Sequence, residues 1–400
     1  AIPMPSSSFV NESNVHLICI ILSTFYPLAR LVSFLSAQGG ISHFLPLLIT
    51  TGMCKQIGVN KWSDGNIYNG ECLNGKRTGK GLFMYGTGSF YYGDWKNDLR
   101  DGIGEYHFAN TFVYNGWWKD DMMNGKGKVI YSDGSTYKGS WLNNKKHGQG
   151  EYTHSNGDYY IGYFENDLYH DQGVQTINGS IYIGHFKLGF RDGQGRLEST
   201  NGDTYKGEWK DGLQHGMGEL IYSNGDIYSG DWKNDLCHGS CILTFASESD
   251  DSSYCGRWMG GRFHGKGRFK WPGGSEYDGD WQYDRREGFG RQKDHDGGAY
   301  EGPWLNDTRH GDNGTYTTPD GSQYHGQWRW GAKHGVGRFQ WSDGSKYEGE
   351  WSDNRQHGEG RFVWADGNEY NGSWQQDLRH GWGVFVEVAK DGHVLSLDNS

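Results

Sequence analysis

The amino-acid sequence predicts an all-β protein: an elongated, single antiparallel twisted sheet, gutter-like in section, of about 14 stacked β-hairpin repeats of 23 residues. Three observations predict this fold. A tyrosine returns at nearly constant spacing, rings and glycines alternate with polar residues, and the chain has 66 glycines but only 7 prolines. Abundant glycine with scarce proline is typical of many strands joined by tight turns.

The repeat is clearest in residues 347–367, which read YEGEWSDNRQHGEGRFVWADG. Tyr347 and Trp351 belong to one alternating run, and Gly358, Phe362 and Trp364 belong to a second. Side chains two residues apart on a strand share a face, so each run places rings and glycines on one face and mostly polar residues on the other. Two such runs joined by a short polar loop predict a β-hairpin with one buried and one solvated face.

The leading tyrosine marks every repeat. Successive tyrosines lie 23 residues apart, except for spacings of 22 after Tyr160, 26 after Tyr228 and 24 after Tyr300. The fourteen leading tyrosines are Tyr68, Tyr91, Tyr114, Tyr137, Tyr160, Tyr182, Tyr205, Tyr228, Tyr254, Tyr277, Tyr300, Tyr324, Tyr347 and Tyr370. Such a period predicts a quasi-one-dimensional repeat array rather than separate globular domains.

The segments outside the period define the predicted domains. Residues 1–55 form an apolar, irregular N-terminal segment, interpreted as an anchor, a cap or an extension of the chain. The array occupies 56–246 and 254–387, separated by an acidic insertion at 247–253, and residues 388–400 form a C-terminal tail. The apolar segment is interrupted by proline, arginine and glycine, and a membrane span needs about 20 apolar residues.

Composition limits the function classes. The net charge of −11 argues against a nucleic-acid partner and against general attraction to anionic lipid. Six scattered cysteines predict a reduced, intracellular protein rather than a disulfide framework.

No residue pattern predicts catalysis, a cofactor or a metal. Histidine recurs at one position of the second strand in nine repeats, directly before a glycine in all of them except the repeat of His170. The nine are His147, His170, His215, His238, His264, His310, His334, His357 and His380. Equivalent positions lie two strands, or about 10 Å, apart, which is too far for shared zinc ligation. We therefore expect the imidazoles to hydrogen-bond to turn backbone.

One cysteine cluster needs separate comment. Cys237, His238 and Cys241, with Cys255 and His264 further along, match no standard zinc module. Cys237, His238 and Cys241 fall in the eighth repeat, where Cys241 replaces a strand glycine.

The repeated Tyr-x-Gly-x-Trp and Gly-x-Gly-x-aromatic runs resemble those of the MORN repeat family over roughly residues 56–387. The resemblance implies an extended twisted sheet whose rings stack along one side as a structural ladder. The ladder residues are Tyr91, Trp95, Tyr137, Trp141, Tyr205, Trp209, Tyr277, Trp281, Tyr324, Trp328, Tyr347, Trp351, Phe362, Trp364, Tyr370 and Trp374.

The favoured function is a non-enzymatic scaffold or adaptor that presents a long repetitive β surface to other proteins. Free-standing MORN arrays resemble radial-spoke-head and other ciliary (axonemal) or cytoskeletal components, some of which self-associate through terminal repeats. One alternative is a junctophilin-like membrane or phospholipid-targeting module, which the apolar N-terminal segment favours and the acidity opposes. Another is the regulatory fragment of a MORN-containing lipid kinase or SET methyltransferase, which would require a further domain beyond residue 400.

Overall fold

A computed structural model describes residues 55–246, 251–388 and 394–399. The chain divides into two units, 1–55 and 56–400. Residues 1–54 of the predicted N-terminal segment 1–55 lie outside the described residues, as do residues 247–250 of the acidic insertion. Within the described part, 31 strands form one sheet, and a short 3-10 turn spans Pro272–Gly274. None of the helices in that part is long and apolar enough to span a membrane.

The strands follow one another along the chain. Their bounds are β1 Lys55–Lys61, β2 Ile67–Leu73, β3 Lys76–Met84, β4 Phe90–Lys96, β5 Leu99–Phe108, β6 Phe112–Lys119, β7 Met122–Tyr131, β8 Thr136–Leu142, β9 Lys145–Thr153, β10 Tyr159–Glu165, β11 Leu168–Ile177, β12 Ser180–Lys187, β13 Phe190–Glu198, β14 Thr204–Lys210, β15 Leu213–Ile221, β16 Ile227–Lys233, β17 Leu236–Thr244, β18 Ser253–Met259, β19 Arg262–Lys270, β20 Glu276–Gln282, β21 Arg285–Lys293, β22 Ala299–Leu305, β23 Thr308–Arg309, β24 Gly311–Thr317, β25 Gln323–Arg329, β26 Ala332–Gln340, β27 Lys346–Ser352, β28 Arg355–Val363, β29 Glu369–Gln375, β30 Leu378–Val388 and β31 Val394–Asn399.

The predicted class, an antiparallel sheet of stacked hairpins, is confirmed. Each leading tyrosine lies on the first strand of a hairpin, and each hairpin pairs with the next one along the chain. Strand β1 pairs with β2 and precedes the first repeat. Strand β31 pairs with β30 and lies within the segment predicted as a C-terminal tail. In the eleventh repeat the second strand is divided at His310 into β23 and β24.

A bulge in the second strand of the repeat departs from the predicted alternation. In the repeat of Tyr347, Gly349 lies opposite Gly360, yet Glu350 lies opposite His357, so the second strand holds two extra residues. Gly358 adopts a φ of 58° there. A Cβ on Gly358 would lie 2.5 Å from the Glu350 carboxylate, on the polar face. The prediction that Gly358 shares the aromatic face is therefore wrong, because left-handed backbone reverses the direction of the side chain.

Two kinds of turn close the repeat, and each also contacts the neighbouring repeat. Between the two strands of a hairpin, Asp353 and Asn354 both have positive φ, as a two-residue hairpin turn requires. The Asn354 side chain accepts a hydrogen bond from the Lys333 N–H at 2.9 Å. Between hairpins, Ser345 Oγ accepts from the Ala365 N–H at 3.1 Å. Side chains at both margins of the sheet therefore tie each repeat to the next.

Asp-Gly and Asn-Gly pairs lie in the turns between hairpins, and their glycines have positive φ. The values are 87° at Gly134, 93° at Gly157, 91° at Gly225 and 95° at Gly344.

Candidate interaction surface

The tyrosines of the aromatic face lie flat against the glycines. A Cβ on Gly360 would lie 2.3 Å from Tyr347 Oη, and one on Gly349 would lie 2.6 Å from the same atom. The Tyr347 hydroxyl reaches past both glycines and donates a hydrogen bond to the Glu350 carbonyl at 2.9 Å. Burial raises the pKa of the Tyr347 hydroxyl, which therefore remains a donor at neutral pH. The glycine pairs are thus required by the close approach of the ring.

The tryptophans connect one repeat to the next. Trp351 Nε1 donates to the Gly337 carbonyl of the preceding repeat at 3.2 Å. The Trp351 ring meets Tyr347 edge to face, with centroids 5.2 Å apart and planes at 90°, and meets Tyr324 of the preceding repeat at 5.3 Å and 81°. Edge-to-face pairs of this kind contribute about 0.5–1.5 kcal/mol each beyond area burial.

The structure places nearly all the predicted ladder residues in the buried core. The tyrosines and tryptophans, each at most 6% exposed, are Tyr91, Trp95, Tyr137, Trp141, Tyr205, Trp209, Tyr277, Trp281, Tyr324, Trp328, Tyr347, Trp351, Tyr370 and Trp374. Phe362 and Trp364 are half-buried and lie beside the ladder, with Phe362 6.0 Å from Trp374. Phe164 and Phe186, which stand where other repeats have tryptophan, are also buried.

Sequence reasoning missed a row of cations that lies over these rings. The Arg100 guanidinium carbon is 4.2 Å from the Trp118 centroid, and Lys333 Nζ is 4.6 Å from that of Trp351. Desolvation lowers the pKa of Lys333 to about 8. The signal was present in the sequence, as a basic residue two positions before the bulge glycine. The cations in the row are Arg77, Arg100, Lys146, Arg191, Arg286, Arg309, Lys333 and Arg379.

On the opposite face, which we call the outer face, a side chain of the first strand caps the bulge. Asp94 Oδ2 accepts from the Ile103 N–H at 2.8 Å, and Gln327 Oε1 accepts from the Val336 N–H at 2.8 Å. Both acceptors lie three residues after a leading tyrosine. Such a bond satisfies a backbone donor that the bulge has removed from the strand ladder.

The outer face carries both charged pairs and exposed apolar side chains. Oppositely charged side chains pair across it, such as Arg338 with Glu348 at 3.2 Å and Lys266 with Asp280 at 2.8 Å. Among its apolar side chains are Ile103 and Trp117, which lie opposite each other and are 48% and 50% exposed.

Three branched apolar residues form a second group on the outer face. Ile161 lies opposite Val174, and Val174 lies opposite Ile183. Ile161 is 47% and Ile183 is 50% exposed. These three residues form the patch that we call the outer apolar patch.

Among the described residues, the histidine prediction holds at one position, His310. His310 Nδ1 accepts a hydrogen bond from the Trp330 N–H at 3.3 Å. In the described part of the chain, the buried Nδ1 atoms of four imidazoles have no hydrogen-bond partner: those of His147, His215, His264 and His334. The prediction of a bond to turn backbone is therefore wrong for these four. The imidazole lies at the bulge, where strand pairing is interrupted, and not at a turn.

The cysteine cluster is divided between the two faces. Cys237 and Cys241 are buried on the aromatic face, whereas Cys255 is exposed on the outer face. No group of three or more metal-ligating side chains comes together in the described part of the chain.

The fold and its ring ladder define a class of protein, a solenoid-like array of stacked β-hairpins in a single sheet. The sequence profile of the MORN repeat matches thirteen segments that cover most of the chain, and the chain belongs to the MORN repeat family. The matched residues are 68–90, 91–111, 114–136, 137–159, 182–204, 205–227, 228–249, 254–276, 277–299, 300–323, 324–346, 347–369 and 370–386. A MORN array is consistent with a scaffold for protein or membrane interaction.

The fifth repeat, at 160–181, is not among the matched segments, yet it forms the hairpin of β10 and β11. Its bulge carries Asp171 with a φ of 53° in place of the usual glycine.

Comparison with curated proteins finds no match. Among solved structures, the TCP10 domain of Danio rerio CPAP in complex with a STIL peptide aligns at 13% identity and a TM-score of 0.30, over 57% of this chain and 100% of that one. The CPAP G-box domain aligns at 12% identity and a TM-score of 0.29, over 49% and 100%. A streptogramin B lyase aligns at 14% identity and a TM-score of 0.13, over 73% and 89%. These TM-scores are too low to support any argument about function.

Proposed function

We propose that this protein is a non-enzymatic scaffold that binds other proteins through the outer face of its earlier repeats. The outer apolar patch carries this proposal. Ile161, Val174 and Ile183 are adjacent across three strands, and Ile161 and Ile183 are about half exposed. The aromatic face already holds the rings that stabilise the sheet, so the outer face is free to bind a partner.

The physical argument rests on contiguity. Single exposed apolar residues are normal, but adjacent ones rimmed by polar side chains are typical of interaction sites. Polar residues surround this patch, with Glu151 opposite Ile161 and Arg196 opposite Ile183. An apolar centre within a polar rim is the usual anatomy of a protein–protein interface.

The test compares partner binding by two variants of the full chain. Ile161→Lys with Ile183→Lys places two charges in the outer apolar patch. Asn69→Lys with Asn371→Lys adds the same charge at the equivalent repeat position elsewhere. We expect the first variant to lose at least tenfold in the recovery of specific partners from cells, and the second to match the wild type. Equal recovery by all three proteins would contradict the proposal.

The cellular setting follows from family resemblance to radial-spoke-head proteins. We place this scaffold in a ciliary (axonemal) or cytoskeletal assembly, with self-association through terminal repeats as a further contact. The edge strands β1 and β31, each with one partner strand among the described strands, support that contact. Imaging the tagged protein tests the location, and a diffuse distribution would contradict it. Sedimentation of the purified chain tests self-association, and a monomer at every concentration would contradict it.

A membrane-associated module is the second candidate, favoured by the apolar composition of residues 1–55. In that case, this segment binds the membrane by inserting its apolar side chains, and added salt does not weaken the binding. Mixed charges on the outer face cancel within a Debye length of about 8 Å, so the array itself does not attract anionic vesicles. Co-sedimentation of the full chain and of residues 56–400 with anionic vesicles, at low and high salt, separates the two cases. Salt-sensitive binding by residues 56–400 would favour the membrane module over the protein scaffold.

A further inference from the structure

We infer that Cys237 and Cys241 form a redox-active dithiol that closes to an intramolecular disulfide across the bulge of the eighth repeat. Both residues lie on β17, on the aromatic face, and are 4% and 2% exposed. The two thiols lie close enough for each to affect the pKa of the other. The proposal concerns a modification site and is independent of partner binding.

The bulge makes this pairing geometrically possible. Residues four apart on a regular strand are separated by about 13 Å, which is too far for a disulfide. Here Cys237 lies opposite Trp232 and Cys241 opposite Gly230, so the two cysteines face partners only two residues apart. Two residues of strand span about 6.7 Å, at the upper end of the Cα separations that disulfides bridge.

The order of the two thiols follows from how each affects the other. Interaction with Cys237 lowers the pKa of the Cys241 thiol, whereas interaction with Cys241, together with burial, raises the pKa of Cys237. Cys241 is therefore the thiol that ionises first and acts as the nucleophile.

Hydrogen peroxide is the oxidant that we assign to the reaction. The Cys241 thiolate attacks one peroxide oxygen, the O–O bond breaks, and Cys241 becomes a sulfenic acid while the departing hydroxide takes up the proton that Cys241 released. Cys237 sulfur then attacks the Cys241 sulfur. The S–S bond forms, the S–OH bond breaks, and the hydroxide leaves as water with the Cys237 proton. Two thiols lose two electrons, and one peroxide is reduced to two waters.

Cys255 provides an internal control on the same peptide. Trypsin cuts after Lys233 and Arg257, and peptide 234–257 contains all three cysteines. The folded full chain is treated with peroxide, quenched with catalase, unfolded in guanidinium, alkylated with iodoacetamide and digested. We expect untreated protein to carry three labels on this peptide. The peptide from treated protein should carry one label, at Cys255. Its mass should be lower by two hydrogens than that of the same singly labelled peptide with two free thiols.

Other outcomes would overturn the inference. Three labels after peroxide would show that no disulfide forms, and a bond that includes Cys255 would show the wrong pairing. Oxidation of Cys241 alone, with Cys237 still labelled, would show that Cys237 is out of reach. After peroxide treatment, the peptide from the Cys237→Ser variant should still be labelled at Cys255 and should contain no disulfide. As a control, protein that is unfolded before the peroxide step should give a mixture of disulfide pairings. If the folded protein gave the same mixture, the fold would have no role in bringing Cys237 and Cys241 together.

Discussion

Cys241 Sγ donates a hydrogen bond to the Asp231 carbonyl oxygen at 2.9 Å. In the other repeats the carbonyl at this position accepts the hydroxyl of the leading tyrosine, as the Glu350 carbonyl does from Tyr347. The Tyr228 ring of the eighth repeat accordingly lies 6.5 Å from Trp232 at 59°, in place of the nearly perpendicular contact found elsewhere. One side chain at a glycine position is therefore enough to displace a ring of the ladder.

Gly360→Ala should reproduce this displacement in a regular repeat. The new Cβ would lie 2.3 Å from Tyr347 Oη, so the ring or the strand must shift. Overpacking of this kind costs about 1–3 kcal/mol, which denaturant unfolding measures. Gly58→Ala is the matched control, because nothing lies within 4 Å of its Cβ, and it should change stability by no more than about 0.5 kcal/mol. Equal losses in the two variants would contradict a steric role for the glycine pair.

Trp351→Ala should remove a main contact between two repeats. It deletes a side chain that is 5% exposed, together with its hydrogen bond to Gly337. We expect a loss of about 3–5 kcal/mol in denaturant unfolding. Glu348→Ala, on the outer face, removes only an exposed ion pair with Arg338 and should cost below about 1 kcal/mol. If Glu348→Ala were as damaging, the assignment of the two faces would be wrong.

Asp94→Ala should destabilise the bulge of the second repeat by about 1–2 kcal/mol, because the Ile103 N–H loses its acceptor. Asp94→Asn keeps an oxygen in place for that N–H and should recover most of the loss. It also removes the charge that pairs with Lys80 at 2.8 Å. Thermal unfolding of both variants distinguishes the two roles of the carboxylate. An asparagine variant as unstable as the alanine variant would assign the effect to the ion pair.

Lys333→Met should stabilise the array at neutral pH, and the gain should shrink as the pH rises. Desolvation lowers the folded-state pKa of Lys333 from 10.5 to about 8. Between these values the unfolded chain binds more protons than the folded one, so wild-type stability rises with pH through this window. Methionine does not titrate, so the difference in melting temperature between the two proteins should narrow from pH 7 to pH 10.

The exposed Lys187→Met serves as the control for that pH series and should show no such narrowing. A constant difference between the wild type and Lys333→Met across the series would contradict the effect of burial.

The strands and the ring ladder were predictable because side-chain alternation and a fixed period determine them. Tyr347 and Trp351 share a face on any strand. The bulge was not predictable from alternation, since Gly358 reverses its direction through a positive φ that period-two reasoning does not include. The cation at Arg100 was present in the sequence, but its position over Trp118 depends on the bulge. The exposure of Ile161 depends on what covers the outer face, and sequence periodicity carries no information on that.

The hydrogen bonds at the two margins of the sheet join only adjacent repeats: Lys333 to Asn354, 21 residues later, and Ala365 to Ser345, 20 residues earlier. A duplicated copy of one repeat, inserted between two others, would therefore find every donor and acceptor that it needs on its immediate neighbours. Array length can change by gene duplication without redesign of any contact. Evolution can thus adjust the reach of such a protein in steps of one hairpin, independently of the chemistry that any single repeat displays.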